Sequence, residues 1–262
     1  MDIFFNLIPD LLKIVLSFCG DVIYSQGHGE VIFATSEEFR KSRAIDVIFL
    51  NYEITSTDHQ NHPDIPTTLL RCSGVPRIKT HTLAFMFYCS QFNGDISQWD
   101  VSSVENMESM FAHSQFDGDI SQWDVSSVTY MECMFEDTYF NGNLSKWDVF
   151  YVKNMKGMFK EANFNRDISK WDVPNVINMF QMFANSQFNG DISEWDVSSV
   201  INMFQMFWCS QFNGDVSQWN VSSVENMIEI FNNSQFDGDT SLWDISSTHE
   251  YINRAVHFDE NN

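Results

Sequence analysis

The chain has 262 residues with 36 acidic and 14 basic side chains, a formal charge of -22, and 44% hydrophobic content. Aromatic residues make up 15% and charged residues only 19%, so the chain holds the apolar material of a packed core and is not a disordered acidic tail. Nucleic acid and anionic membrane surfaces, which both require a basic protein face, drop out as partners.

The N-terminal stretch begins MDIFFNLIPDLLKIVLSFCGDVI. It has no positive n-region, is interrupted by Pro9, Asp10 and Lys13, and lacks a small-residue cleavage site, so neither a secretory signal nor a membrane span is expected. Ile8, Leu11, Leu12, Val15, Leu16 and Phe18 describe an amphipathic helix, with Pro9 in its first turn and Gly20 just past its end. GDVIYSQGHGEVIF fits a loop or a short hairpin, a second helix is expected over 36–49, and the prolines Pro63, Pro66 and Pro76 mark 55–79 as an irregular connection. The strings LIPDLLKIVLSFCGDVI and VIFATSEEFRKS resemble the helices of an F-box, which implies docking to a Skp1-like adaptor of a cullin ubiquitin ligase. Without that role, residues 1–81 are expected to be a helical cap and linker. His59 and His62, near Asp58 and followed by Cys72, lack the paired thiolates of a zinc site and read as a polar loop.

From residue 82 the chain repeats. Phe92, Phe116, Phe140, Phe164, Phe188, Phe212 and Phe236 fall 24 residues apart, as do Trp99, Trp123, Trp147, Trp171, Trp195, Trp219 and Trp243. The first unit reads FNGDISQWDVSSVENMESMFAHSQ, and the half-unit TLAFMFYCSQ precedes it. Apolar positions are Phe92, Ile96, Trp99, Val101, Val104, Met107, Met110 and Phe111. Trp99 and Val101 suggest a short strand. Val104, Met107, Met110 and Phe111, at offsets 0, 3, 6 and 7, suggest one face of a two-turn helix capped by Ser102 or Ser103. Each coil is marginal alone, so the coils are expected to stack, with their strands in a parallel sheet and identical side chains in columns.

The unit FNGDISxWDVSSVxNMxxMF resembles the BspA-like, leucine-rich-repeat-like family. That family is also met as a domain of unknown function in mycoplasma and lactobacillus surface proteins and in large DNA viruses of protists. The resemblance implies an α/β, right-handed solenoid of about seven strand-turn-helix coils over 82–258, leaving 259–262 as a tail, and a binding role with no catalytic residues. The absence of an export signal favours an intracellular, viral or eukaryotic version, in the host cytoplasm if viral.

Two acidic columns recur, one at Asp95, Asp119, Asp167, Asp191, Asp215 and Asp239, the other at Asp100, Asp124, Asp148, Asp172, Asp196 and Asp244. They suit either calcium held between coils or turn capping. Asn143 and Asn220, which stand in these columns, favour capping. The five cysteines follow no framework or metal spacing. No GxSxG, P-loop, HExxH or GxGxxG motif occurs, so neither an enzyme nor a cofactor is expected.

The units differ at positions 105, 108 and 112 of the first and their equivalents. The second and third units place Thr129, Glu132 and Glu136, then Lys153, Lys156 and Lys160 there. The fourth to sixth place Ile177 and Phe180, then Ile201, Phe204 and Trp208, then Ile228. These six apolar residues form the expected partner-binding patch, for another protein or for self-association. A cover by Tyr251, Ile252, Val256 and Phe258, or a helix rotated into the core, would instead bury them. Lys146, Lys153, Lys156, Lys160, Arg166 and Lys170 lie beside the patch as a basic band. The function expected is a non-enzymatic protein-interaction scaffold, with a ubiquitin-ligase substrate receptor as the alternative.

Overall fold

The computed structural model describes 81–90 and 92–248, together with five short strands on the N-terminal side. Strand β1 (Val22–Ser25) pairs antiparallel with β2 (Val31–Ala34) and with β3 (Asp46–Phe49), in the order β2-β1-β3. β4 (Glu53–Ile54) and β5 (Arg77–Ile78) pair in parallel. The hairpin alternative for GDVIYSQGHGEVIF is therefore the one that forms. The helix expected over 36–49 does not run to its end: Val47 and Ile48, β-branched and poorly suited to a helix, lie in β3. The helix expected from Ile8 to Phe18 and the His59 and His62 loop lie outside the described residues.

The 24-residue units do stack, but not as strand-turn-helix coils. Among the described residues there is no helix, and within 81–248 the only strand character is a line of single parallel bridges joining Thr82, Asn106, Tyr130, Asn154, Asn178, Asn202 and Asn226. The α/β solenoid with helices is thus overturned. Where the helix was expected, the chain makes consecutive tight turns: the N–H groups of Met110, Ala112 and Ser114 donate to the carbonyls of Met107, Ser109 and Phe111. The intervening N–H groups of Met107, Ser109, Phe111 and His113 turn outward and donate to Tyr130, Glu132, Met134 and Glu136 of the next coil, at 2.7 to 3.0 Å.

Physical chemistry favours this arrangement. An isolated two-turn helix leaves nearly all of its terminal N–H and C=O groups without partners and carries the full nucleation cost. The turn array gives half of its N–H groups to the same coil and half to the neighbour. The first and last of these turns take a positive φ at their third residue, at Ser109 (51°) and His113 (57°), as do their equivalents in other coils. That conformation costs a non-glycine residue about 1–2 kcal/mol. From Phe85 to Cys209 each such residue uses its own N–H for an inter-coil hydrogen bond, which partly offsets the cost. Gly157 holds the position in the third unit, where a Cβ would lie 2.9 Å from Cys133 Sγ.

The expected strand is also absent. Trp99 closes a turn onto Ile96, Val104 closes one onto Val101, and the residues between them link the two turns. Three of the turns are opened by a side chain at the preceding residue: Asp95 Oδ1 accepts from Ser97 N–H, Asp100 Oδ1 from Ser102 N–H, and Asn106 Oδ1 from Glu108 N–H.

All eight apolar positions of the first unit are buried, and the pattern repeats down the stack. Phe rings form two adjacent ladders. In one, Phe111, Phe135, Phe159, Phe183 and Phe207 stack at 5.7 Å between centroids. In the other, Phe116 to Phe140 and onward to Phe236 stack at 6.1 to 6.4 Å. Each indole N–H from Trp123 to Trp243 donates to the carbonyl 27 residues earlier, as Trp123 does to Ile96 at 3.0 Å. Gly118, Gly142, Gly190, Gly214 and Gly238 lie against the Phe two residues before, where a Cβ would meet the ring at 2.6 to 2.8 Å. Arg166 fills that position in the fourth unit and reaches back to donate to the Asn141 carbonyl at 2.9 Å.

Phe183 touches both neighbouring coils and Phe188. Its replacement by Ala is expected to cost about 3–5 kcal/mol, read as a lower denaturation midpoint. A change under 1 kcal/mol would mean that the ring ladder does not hold the coils together.

Candidate interaction surface

Three columns on the turn side of the stack carry the variation between units. In the first, Thr129, Lys153, Ile177, Ile201 and Glu225 are tied by a backbone ladder in which each N–H donates to the equivalent carbonyl one coil earlier, at 2.8 to 2.9 Å. Ile177 and Ile201 are the exposed apolar pair of this column, 47% and 43% accessible. In the second column, Phe180 and Phe204 are half-buried and stacked at 5.1 Å with 14° between planes. Ile228 continues the column, half-buried. Trp208 lies in the third and is half-buried, like Glu136 and Lys160 of the same column, so it is less accessible than the isoleucines. The six residues thus differ in depth, the two isoleucines exposed and Phe180, Phe204, Trp208 and Ile228 half-buried.

The basic band meets this surface directly. Lys156 Nζ lies 5.5 Å from the Phe180 ring centroid, a cation–π contact. Lys160 Nζ lies 2.7 Å from Glu136 Oε1 and 3.5 Å from Glu161 Oε1. Burial pushes Glu136 upward, but hydrogen bonds from Cys133 and Lys160 outweigh it and hold the carboxyl below its ordinary value. Burial likewise opposes the charge on Lys160, and the Glu136 hydrogen bond prevails, raising it. Cys133 is pushed up to about 12, first by burial and then by its bond to Glu136, so it stays a thiol at neutral pH and is no nucleophile. Glu132 is raised by burial, and its Oε2 is buried without a hydrogen-bond partner.

Two polar ladders went unread in the sequence. Gln181 donates to Gln205 and Gln205 to Glu229, each at 2.6 Å. In the other, Asn93, Asp117, Asn141, Asn165, Asn189 and Asn213 each accept, through a side-chain oxygen, the N–H of the residue one coil later, at 2.7 to 3.1 Å. The strict 24-residue recurrence of Asn or Asp at this position was the available signal.

Both acidic columns hold turn-formers: in the second, Asp100, Asp124, Asp148, Asp196 and Asp244 each accept the N–H two residues on. Asp119, Asp167, Asp191, Asp215 and Asp239 accept from the Ser two residues on, and Asn143 and Asn220 do the same in their places.

The family model described as "Mycoplasma protein of unknown function, DUF285" matches residues 78–164 and again 161–261. The chain belongs to this family. The repeat resemblance is thereby shown at the level of DUF285. The F-box resemblance is not supported: the matches begin at residue 78, and β2 (Val31–Ala34) occupies the start of VIFATSEEFRKS, where a helix was implied. Comparison with the curated proteins and with the solved structures returns no match.

The turn-opening aspartates give DUF285 coils a pH dependence. Backbone Ser N–H groups first, then Ser hydroxyls, hold Asp95, Asp119, Asp167, Asp191, Asp215 and Asp239 below their ordinary value. Ser hydroxyls first do so for Asp100, Asp196 and Asp244. A depressed folded pKa adds stability that is complete above the unfolded value, about 3.9, and is lost as pH falls through the folded value. Glu132, raised, works in the opposite sense but is a single group. The melting temperature is expected to fall steadily from pH 5 to below pH 3, and Asp191→Asn, which keeps the turn as Asn143 does, to flatten that fall. A melting temperature rising on acidification would refute the assignment.

Proposed function

We propose that the chain is a non-enzymatic interaction scaffold whose stacked coils present Ile177, Phe180, Ile201, Phe204, Trp208 and Ile228 to a partner protein. The observation that carries this reading is the pair of exposed isoleucines beside a stacked Phe pair, with Lys156 against it, on a chain of charge -22. Apolar residues clustered in adjacent coils, where the equivalent positions of earlier coils are Glu, Thr and Lys, are what a contact site requires and a solvated face does not. The non-enzymatic part rests on the sequence, which carries no nucleophile–base or phosphate-loop motif.

Affinity capture from the native cell, compared across variants, tests the proposal. Ile177→Ser with Ile201→Ser is expected to leave stability within about 0.5 kcal/mol, as exposed substitutions do, and to lose at least one protein that wild type retains. Leu242→Ser, 70% exposed and outside the patch, is expected to retain it. Identical capture by all three proteins would sink the assignment.

A further inference from the structure

We infer that the partner presents an amphipathic α-helix lying along the stack axis, with apolar residues on Ile177/Phe180 and Ile201/Phe204 and an acidic residue one turn away at Lys153/Lys156. This inference rests on the patch proposed above and specifies what it takes. The order of the columns is the first argument. Passing from the second unit to the sixth, the column holding Phe180 reads Glu132, Lys156, Phe180, Phe204, Ile228, and its neighbour reads Thr129, Lys153, Ile177, Ile201, Glu225. Adjacent rungs thus offer a cationic pair, then two apolar pairs. A complementary segment must carry an acid and two apolar groups in that order and at the rung spacing.

The spacing decides which secondary structure can do so. Phe180 and Phe204 are 5.1 Å apart, and the buried Phe ladder beneath advances 5.7 Å per coil. A helix places residues i and i+3 or i+4 on one face about 4.5–6 Å apart, and i and i+7 about 10.5 Å apart. One turn of a helix therefore matches one rung, and two turns match two. An extended strand repeats a face only every ~6.6–6.8 Å, which outruns the rungs by several ångströms over three coils. The patch also offers a strand no backbone partners. The N–H of Ile177 is spent on the Lys153 carbonyl, that of Ile201 on the Ile177 carbonyl, and those of Phe180 and Phe204 on Asn178 and Asn202 side chains. Side-chain docking of a helix is the mode that needs no free backbone.

Charge acts in the same direction. The surroundings are acidic, so the lysines are a local exception, and an acidic residue placed there gains attraction that the rest of the surface would refuse. Lys160 is already paired with Glu136, which leaves Lys153 and Lys156 as the cations facing the partner. Lys156 holds its ammonium over the Phe180 ring, at the seam between the charged rung and the first apolar one.

The test uses labelled synthetic peptides and fluorescence anisotropy on the full chain. One peptide is helical, with Glu, Leu and Leu at i, i+4 and i+7. The second has Lys in place of Glu. The third is a strand-forming peptide with the same three residues at i, i+2 and i+4. The Glu helix is expected to bind at least tenfold more tightly than the other two, and more weakly as salt rises. Lys153→Glu with Lys156→Glu is expected to reverse the preference between the Glu and Lys helices. Equal binding of the strand peptide, indifference to the charge swap, or no binding by the Glu helix would each overturn the helix inference. The patch reading fails separately, only if the Ile177→Ser, Ile201→Ser protein captures what wild type captures.

Discussion

Everything in this molecule depends on strict coil-to-coil equivalence at 24 residues. The N–H of Ser109 finds the carbonyl of Glu132, Phe111 finds Met134, and each Phe ring finds its counterpart, only because no unit carries an insertion. Backbone and side chain impose the same register. The ring ladders would tolerate a small slip, whereas the alternating hydrogen bonds would not, since a shift of one residue exchanges the N–H groups that point along the stack for those that close turns. Fixed register lets a coil with neither helix nor strand hold a single conformation.

The core was fully legible in the sequence and the backbone was not. Phe92, Ile96, Trp99, Val101, Val104, Met107, Met110 and Phe111 are all buried, as their recurrence implies. The spacing of Val104, Met107, Met110 and Phe111 nevertheless misled. Turns that close from residue i to i+3 return the chain to the same side every three residues, so the offsets 0, 3, 6 and 7 arise without a helix. Trp99 and Val101 misled in the same way, because two turns meeting at a short link also place alternate residues inward. The correct signal was local and polar: Asp95, Asp100 and Asn106, each one residue ahead of a turn. The candidate surface rests on departures between units, a pattern that does not depend on the backbone conformation. Its grading in depth, with Trp208 half-buried and Ile177 and Ile201 exposed, needed coordinates.

The acidity that dominates the composition has a structural origin. In most units Asp opens the first two turns by accepting a backbone N–H, and Asn143 and Asn220 do so without charge. A mostly anionic flank is the by-product, and it gives the few lysines of the third unit their contrast.

The indole hydrogen bond joins each coil to the one before it, while the turn array joins each coil to the one after. A stack tied in both directions accepts growth or loss only in whole rungs. A single-residue deletion would dislocate every register beyond it, whereas duplicating one complete rung leaves all existing pairings intact. Changes in the length of such a chain are therefore expected to come in steps of one unit, and its surface columns to diversify rung by rung while the interior is copied unchanged.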